Sequence, residues 1–508
     1  MNIPSLPFMP ILFHVQKKAG LFIFFTIASF IITWSCGYTI KNASGNTLLL
    51  LFMLLLARKN TLTSVVVMIL ILFSALYAPT GLTYGKINNG FIASFLQTTT
   101  AEALEFIQLI PFSHFFISFA ILIFALLFWR TRQSSNKNRF ALLLFVALSI
   151  NSWPKRMIAG TVTGTREVIQ EMNHYAELNR QQHDTWELLP GSQKYQTIVV
   201  IVGESVNRNY MSAYGYPLPT TPWLNAAPGI FVNGYTSTAA NTITSLSRTL
   251  VTDYEHSGNP GNNVVSLAKR AGYRTWWLSA QGRLGVHDTL IAVIASNAEH
   301  TVFLNSGSYS SRNIDDNSLL PVLDKVLNDD DPMPRIIFIH MMGSHPNPCD
   351  RLSGWPNPYH KQFDEKIACY LASINKLDNF LMQVDSRLRQ RKERFAMVYF
   401  SDHGLSVSNG QSPVHHDARS RAGYDIPLII TASDINSHRT IDNTLSARYF
   451  MGIFEWVTGI RSQNIQPVNP EIPQARGIVR VFNGQQYIPY DSLPVQPLVQ
   501  EPAHTPPM

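Results

Sequence analysis

Two short motifs in this 508-residue chain carry side chains suited to binding a cation. They are Gly203-Glu204-Ser205 and Ser401-Asp402-His403-Gly404. Glu204, Asp402 and His403 together offer two carboxylates and an imidazole, a donor set suited to Zn²⁺ and, less well, to Mn²⁺. Between the motifs lies a hydroxyl-rich stretch, residues 236–245, in which Thr242 is the candidate nucleophile. A threonine hydroxyl reacts poorly at neutral pH until a cation or a base withdraws its proton. If Thr242 opens a helix, the free backbone N–H groups there also favour a phosphoryl group. His345 closes Met341-Met342-Gly343-Ser344-His345, and His416 lies in Val414-His415-His416-Asp417. These imidazoles could ligate a second cation, bind a transferred phosphate or protonate a leaving alkoxide. Taken singly, each motif also fits an ordinary turn or cap; their joint occurrence points to chemistry.

The elements that must position these groups show as apolar runs. Residues 197–202 and 395–400 are short and almost wholly apolar, as parallel strands buried on both faces are, and each stops at an acidic motif. In open α/β sheets ligands collect at the carboxyl ends of strands. Further strands are expected at 274–278, 301–304, 335–340 and 427–431, alternating with helices at 264–271, 317–327 and 363–387. That rhythm implies a mostly parallel sheet covered by helices on both faces, an αβα sandwich over residues 196–460.

Residues 1–154 differ in character. Apolar runs at 21–34, 47–57, 61–77, 115–129 and 140–150 extend at little polar cost toward the roughly 20 residues that cross a bilayer. They read as five transmembrane helices, whereas a signal peptide accounts for only one such run. Lys17 and Lys18, then Arg58 and Lys59, then Arg130, Arg132, Lys137 and Arg139 fall in alternate loops. By the positive-inside rule the N-terminus is cytoplasmic and everything after Trp153 lies outside. Residues 155–195 read as a helical connector, and 461–508 as a Pro-rich extension, partly disordered, with the disorder expected after Pro494.

The net charge of +7 suggests no nucleic-acid partner, because no dense basic cluster marks the soluble part. Of three cysteines, Cys36 lies in the first apolar run. Cys349 and Cys369 flank a loop that a disulfide would close outside the cytoplasm, the alternative being two buried thiols.

With these residues in view, the sequence resembles the phosphoethanolamine transferases of Gram-negative inner membranes, a branch of the alkaline phosphatase and sulfatase superfamily. The resemblance runs in order through Val202-Gly203-Glu204-Ser205, Tyr214-Gly215-Tyr216-Pro217, Thr220-Thr221-Pro222-Trp223-Leu224, the segment around Thr242, Gly343-Ser344-His345 and Phe400-Ser401-Asp402-His403-Gly404. It covers nearly the whole chain apart from the Pro-rich tail. The resemblance implies one or two zinc ions, one of them held by Glu204, Thr242, Asp402 and His403, with Thr242 carrying phosphoethanolamine in turn. It implies that His345 and His416 bind the substrate phosphate or another zinc. Thr98 and Glu102 stand where relatives approach the lipid donor, and Arg283 and His287 are candidates for the donor phosphate. The implied reaction takes phosphoethanolamine from phosphatidylethanolamine to lipopolysaccharide core, lipid A or a periplasmic glucan. Thr238, Arg248 and Leu405 replace the cysteines and the Glu that lipid A-modifying members commonly carry, which shifts the expected acceptor toward a sugar. The rival readings are a phosphoglycerol transferase using phosphatidylglycerol and a sulfatase-like hydrolase. A sulfatase lacks support because no Cys/Ser-x-Pro-x-Arg context for a formylglycine is present.

Overall fold

The computed structural model describes residues 9–38, 40–85, 107, 110–132, 144–146, 162, 165–166, 169, 184–252, 259–282, 290–305, 314–410, 412–463, 465–473 and 478–500. The chain divides into two compact units, one of residues 1–88 and 110–164, the other of 89–109 and 165–508.

The first unit contains helices α1 (Met9–Ser35), α2 (Ile40–Ala57), α3 (Thr61–Tyr84) and α4 (Phe112–Thr131). Among the described residues, Thr61–Thr83 and Phe112–Thr131 are long and apolar enough to cross a membrane, and Ala19–Ser35 and Ala43–Ala57 are shorter apolar helical stretches. Of the fifth expected span, only residues 144–146 are described. Leu62, Ile69 and Leu76 form an outward apolar stripe on α3, the reverse of a water-facing helix. Inside this unit the Thr33 and Thr47 hydroxyls meet at 3.1 Å between α1 and α2.

The second unit is built on an eight-stranded sheet. Its strands are β1 (Thr197–Gly203), β2 (Gly229–Thr236), β3 (Arg274–Gly282), β4 (His300–Asn305), β5 (Arg335–His340), β6 (Phe395–Ser401), β9 (Leu428–Ala432) and β10 (His438–Ser446), while β7 (Ser406–Val407) and β8 (Val414–His415) form a separate small hairpin. The order β10-β2-β9-β6-β1-β5-β3-β4 puts β1 in the middle, parallel to β5 on one side and to β6 on the other. Alternate residues of β1 feed two cores, Val199 and Ile201 on one face, Ile198, Val200 and Val202 on the other. This three-layer packing explains why β1 and β6 are buried throughout. Helices α5 (Thr242–Leu250), α6 (Val264–Arg270), α7 (Leu290–Ala295), α8 (Leu320–Leu327), α9 (Glu365–Gln390) and α10 (Phe450–Thr458) complete the layers.

The six expected strands are present, with ends shifted by up to four residues. β9 runs antiparallel to both β6 and β2, the one reversed strand. β10 escapes a pattern search because it is a polar edge strand, exposed over most of its first five residues. The described end of the connector is not helical. From residue 184 onward it is extended, anchored by Trp186, whose indole donates to Ser266 Oγ at 2.9 Å, and Pro190-Gly191 precludes a continuing helix. Residues 495–500, expected to be disordered, are ordered on the domain. Tyr216 donates its hydroxyl to the Val499 carbonyl at 2.6 Å, and Ser406 donates to Gln496 at 2.8 Å. Cys349 and Cys369 form a disulfide with a Cα separation of 4.8 Å, tying the loop after β5 to α9.

On α9, the Asp378 carboxylate accepts from the backbone N–H groups of Trp223 at 2.8 Å and Leu224 at 3.0 Å, fixing the turn before β2. Burial pushes this carboxyl up to about 6, against the pull of those two donors. Below pH ~4 it is protonated folded or unfolded; between ~4 and ~6 the unfolded chain ionises first, so this group's contribution to stability falls as pH rises. In the full chain, the melting temperature of wild type relative to Asp378→Asn is expected to drop from pH 4 to pH 6, by the equivalent of about 2 kcal/mol. A difference that stays flat across that window contradicts the assignment.

Candidate active site

Glu204 follows directly on β1, and Asp402 and His403 follow on the adjacent β6, so the parallel pairing that matches Gly203 with Ser401 brings both motifs to one sheet edge. Gly203 lies against Tyr399: a Cβ there would stand 2.5 Å from the tyrosine hydroxyl oxygen. Beyond it Ser205 adopts φ 64°, a left-handed conformation that costs a non-glycine residue about 1–2 kcal/mol. Three contacts enforce it. Ser205 N donates to Asp402 Oδ1 at 2.9 Å, its hydroxyl donates to Glu204 Oε1 at 2.6 Å, and its carbonyl accepts from Tyr370 at 3.0 Å. The bent backbone thus presents the Glu204 carboxylate to His403.

Thr242 is the first residue of α5. Asn241 caps that helix, its side chain accepting from Thr244 N at 3.0 Å, which leaves Thr242 in the first turn, where N–H groups lack helical partners. Thr242 Oγ1 donates to Glu204 Oε2 at 3.0 Å and lies 3.4 Å from His403 Nε2. His403 Nδ1 lies 3.0 Å from the Gly404 carbonyl; donating there, it leaves Nε2 to face the carboxylates. His403 Nε2 is 3.4 Å from Glu204 Oε1 and 3.4 Å from Asp402 Oδ2.

The three titratable groups are fully buried and strain one another's protonation. Burial raises the Asp402 carboxyl, the Glu204 charge adds to the rise, and the group stands at about 8. Burial opposes the His403 cation, yet Asp402 and Glu204 outweigh it and lift the ring to about 9. Burial would also raise Glu204, but the hydrogen bond and charge of His403 hold it well below the usual carboxylate range. Two carboxylates with one imidazole between them call for positive charge at their centre. Asp402 Oδ2 accepts no hydrogen bond, although buried. Glu204, Asp402 and His403 each offer a ligand atom, all within 4.8 Å of one another. Around a tetrahedral zinc with bonds near 2 Å, neighbouring ligand atoms stand about 3.3 Å apart, close to the 3.0 and 3.4 Å separations here. The residues fit such an ion.

His345 and His416 complete the cluster. The His416 ring centre is 4.7 Å from that of His403, and burial, helped by the charges of His403 and His345, pushes it down to about 3. His415 points elsewhere, its Nδ1 2.9 Å from the Ser412 carbonyl. His345 sits on a loop pressed against Glu204: Ser344 N donates to the Glu204 carbonyl at 2.9 Å. Gly343 has φ 51°, and a Cβ there would lie 2.7 Å from that carbonyl oxygen. Asp316 holds the same loop from below, accepting from Met342 N at 2.7 Å and Gly343 N at 2.9 Å. Thr98, Glu102, Arg283 and His287 lie outside the described residues.

Three supporting residues escaped the sequence reading. Gln281 donates to Glu204 Oε2 at 3.2 Å and to the Met341 carbonyl at 2.8 Å. It stands beyond position 278, where the apolar run ends, although β3 continues to Gly282. Ser245 donates to the Asp402 carbonyl at 2.6 Å, and Asp316 anchors the His345 loop. Asn241 before Thr242 was the readable sign, an Asn that starts a helix.

A family model described as Sulfatase matches residues 196–460. Phosphoethanolamine transferase OpgE of Escherichia coli K12 is 30% identical over 452 residues, which span 83% of this chain and 85% of that protein. Phosphoethanolamine transferase EptC of the same strain is 27% identical over 339 residues, 59% of this chain and 58% of that one. Among solved structures, the integral membrane protein lipooligosaccharide phosphoethanolamine transferase A (EptA) from Neisseria meningitidis superposes with a TM-score of 0.59 at 16% identity, over 88% of this chain and 96% of that one. The C-terminal periplasmic domain of E. coli EptC in complex with Zn superposes with a TM-score of 0.52 at 21% identity, over 61% of this chain and 96% of that domain. At these identities the two structures speak to the fold.

Competition against a chromophoric chelator is expected to show zinc affinity falling by at least about 100-fold in Asp402→Asn and by about tenfold in Gln281→Ala, which disturbs only the orientation of Glu204. Unchanged affinity in Asp402→Asn contradicts a cation at this cluster.

Proposed function

Because this chain belongs to the sulfatase family and, within it, to the phosphoethanolamine transferases, we propose that it moves phosphoethanolamine from phosphatidylethanolamine to a hydroxyl of a cell-envelope glycan or glycolipid, through a covalent adduct on Thr242. The observation that carries this reading is the placement of the Thr242 hydroxyl at the start of α5, 3.0 Å from Glu204 and 3.4 Å from His403.

Zinc held by Glu204, Asp402, His403 and Thr242 would lower the pKa of the threonine hydroxyl and offset charge on the phosphoryl oxygens. The Thr242 hydroxyl, hydrogen-bonded to Glu204 Oε2, gives up its proton to water, and its oxygen attacks phosphorus. The bond from phosphorus to the diacylglycerol oxygen breaks, and that oxygen takes a proton. The N–H groups of the first turn of α5, which lack helical partners, are suited to stabilise phosphoryl charge. In the second half an acceptor hydroxyl attacks the same phosphorus, and Thr242 recovers its proton. His345 and His416, the imidazoles beside the cluster, are assigned to the leaving and entering oxygens.

The donor is a bilayer lipid, which suits a chain with apolar helices. We place five spans in a bacterial inner membrane, with the catalytic domain in the periplasm, on the alternation of basic loops described above. Thr98, Glu102, Arg283 and His287 are assigned to donor contacts on the resemblance alone. The EptC–Zn complex supports zinc as the ion.

Turnover with headgroup-labelled phosphatidylethanolamine is expected to leave label on Thr242, located by peptide mass spectrometry. Thr242→Ala is expected to lose transfer by at least about a thousandfold. Label from phosphatidylglycerol instead redirects the reading to a phosphoglycerol transferase. Retained activity in Thr242→Ala overturns the covalent route.

A further inference from the structure

We infer that the C-terminal hairpin is a positioning element of the catalytic centre, clamping the loop and helix that carry Thr242; the word catalytic rests on the function proposed above, the clamp on geometry alone. The hairpin consists of β11 (Arg480–Phe482) and β12 (Tyr487–Pro489), antiparallel, with Phe482 opposite Tyr487.

It takes hold of the nucleophile segment at three places. Phe482 N donates to the Thr238 carbonyl at 2.8 Å, and Phe482 bridges in parallel to Ala239. Ala240 packs with Tyr424, Val481, Tyr490 and Leu493 in a small apolar cluster of its own. Arg248, in the last turn of α5, lays its guanidinium 4.5 Å from the centre of the Phe482 ring and donates from Nε to the Tyr487 hydroxyl at 2.7 Å. The inner side of the same segment reaches the cation cluster: Thr238 donates to the Ser245 carbonyl at 3.0 Å, and the Ser245 hydroxyl donates to the Asp402 carbonyl. Thr238 and Arg248, noted from the sequence as departures from lipid A-modifying relatives, are thus two points through which the hairpin acts.

Physical necessity supports the clamp. Helix α5 has nine residues, Thr-Ile-Thr-Ser-Leu-Ser-Arg-Thr-Leu, most of them hydroxylated or β-branched. Helices under about 12 residues are marginal even with good formers, and these are poor ones. Leu246 and Leu250 are its large buried apolar side chains. A hairpin of three-residue strands is equally marginal alone. This one is docked by the Tyr490 hydroxyl on Asp425, and the tail beyond it by the Arg421 N–H on the Pro494 carbonyl. Two elements that would each fray hold one another, and Thr242 is fixed between the hairpin and the sheet edge.

The test is amide hydrogen exchange by mass spectrometry on the full chain, combined with steady-state kinetics. In Phe482→Ala, peptides covering residues 237–247 are expected to exchange several-fold faster. The rate kcat is expected to fall by about tenfold to a hundredfold, with KM for phosphatidylethanolamine changed by less than about twofold, as for a displaced nucleophile. Phe482→Tyr, which keeps the ring under Arg248, is expected to restore both. The clamp is overturned if exchange in 237–247 is unchanged while the hairpin itself loosens. It is equally overturned if kcat falls only in proportion to lost folded protein, or if Phe482→Tyr rescues nothing. Should wild type transfer no phosphoethanolamine, the functional reading fails by itself, and the exchange arm still decides the clamp.

Discussion

Concentrated buried negative charge at the edge of a parallel sheet is the constraint to which the catalytic domain answers. Glu204 and Asp402 are both fully buried, with His403 between them and one Asp402 oxygen accepting no hydrogen bond. Removing two carboxylates from water costs several kcal/mol each unless a cation and fixed donors compensate. Nearby features supply fixed donors: Ser205 N and His403 N to Asp402, the Ser205 and Thr242 hydroxyls and Gln281 to Glu204. The one thing these donors do not supply is a divalent charge.

The same demand accounts for the architecture around the site. Parallel strands β1 and β6 must be in register for Glu204 and Asp402 to meet, and the paired, doubly covered central strands make that register hard to slip. Loops carrying the remaining groups are then pinned from several directions. The His345 loop is held by Asp316, by the Glu204 backbone and by a hydroxyl pair between Ser373 and Ser344, with the Cys349–Cys369 disulfide beyond it. Thr242 is held from the sheet side by Ser245 and from the outer side by the C-terminal hairpin. A reacting oxygen on a short, weakly helical segment needs such support, since an error of about 1 Å in its place costs orders of magnitude in rate.

What the sequence disclosed follows from the strength of each physical signal. The runs 197–202 and 395–400 are apolar because both faces of β1 and β6 are buried, and polar side chains after such a run can only be at the sheet edge. That is why Glu204, Asp402 and His403 could be grouped from their types, and the structure brings them together with Thr242, which the resemblance added to the set. Strand β10 was invisible because an edge strand need not be apolar, and the extent of α5 was hard to read because hydroxyl side chains also suit loops. Gln281, Ser245 and Asp316 act through hydrogen bonds whose partners are distant in the chain, so no local pattern marks them. The tail misled for a related reason: its proline content argues against regular structure, yet Val499 and Leu493 find apolar pockets on a surface assembled by tertiary folding.

The central claim is that one divalent cation sits among Thr242, Glu204, Asp402 and His403. Anomalous diffraction from crystals of the protein grown with zinc, recorded on both sides of the zinc absorption edge, tests it directly. The account requires an anomalous peak within bonding distance of Thr242 Oγ1, Glu204, Asp402 and His403 Nε2. A fully occupied zinc elsewhere, with this cluster holding only protons or water, would contradict it.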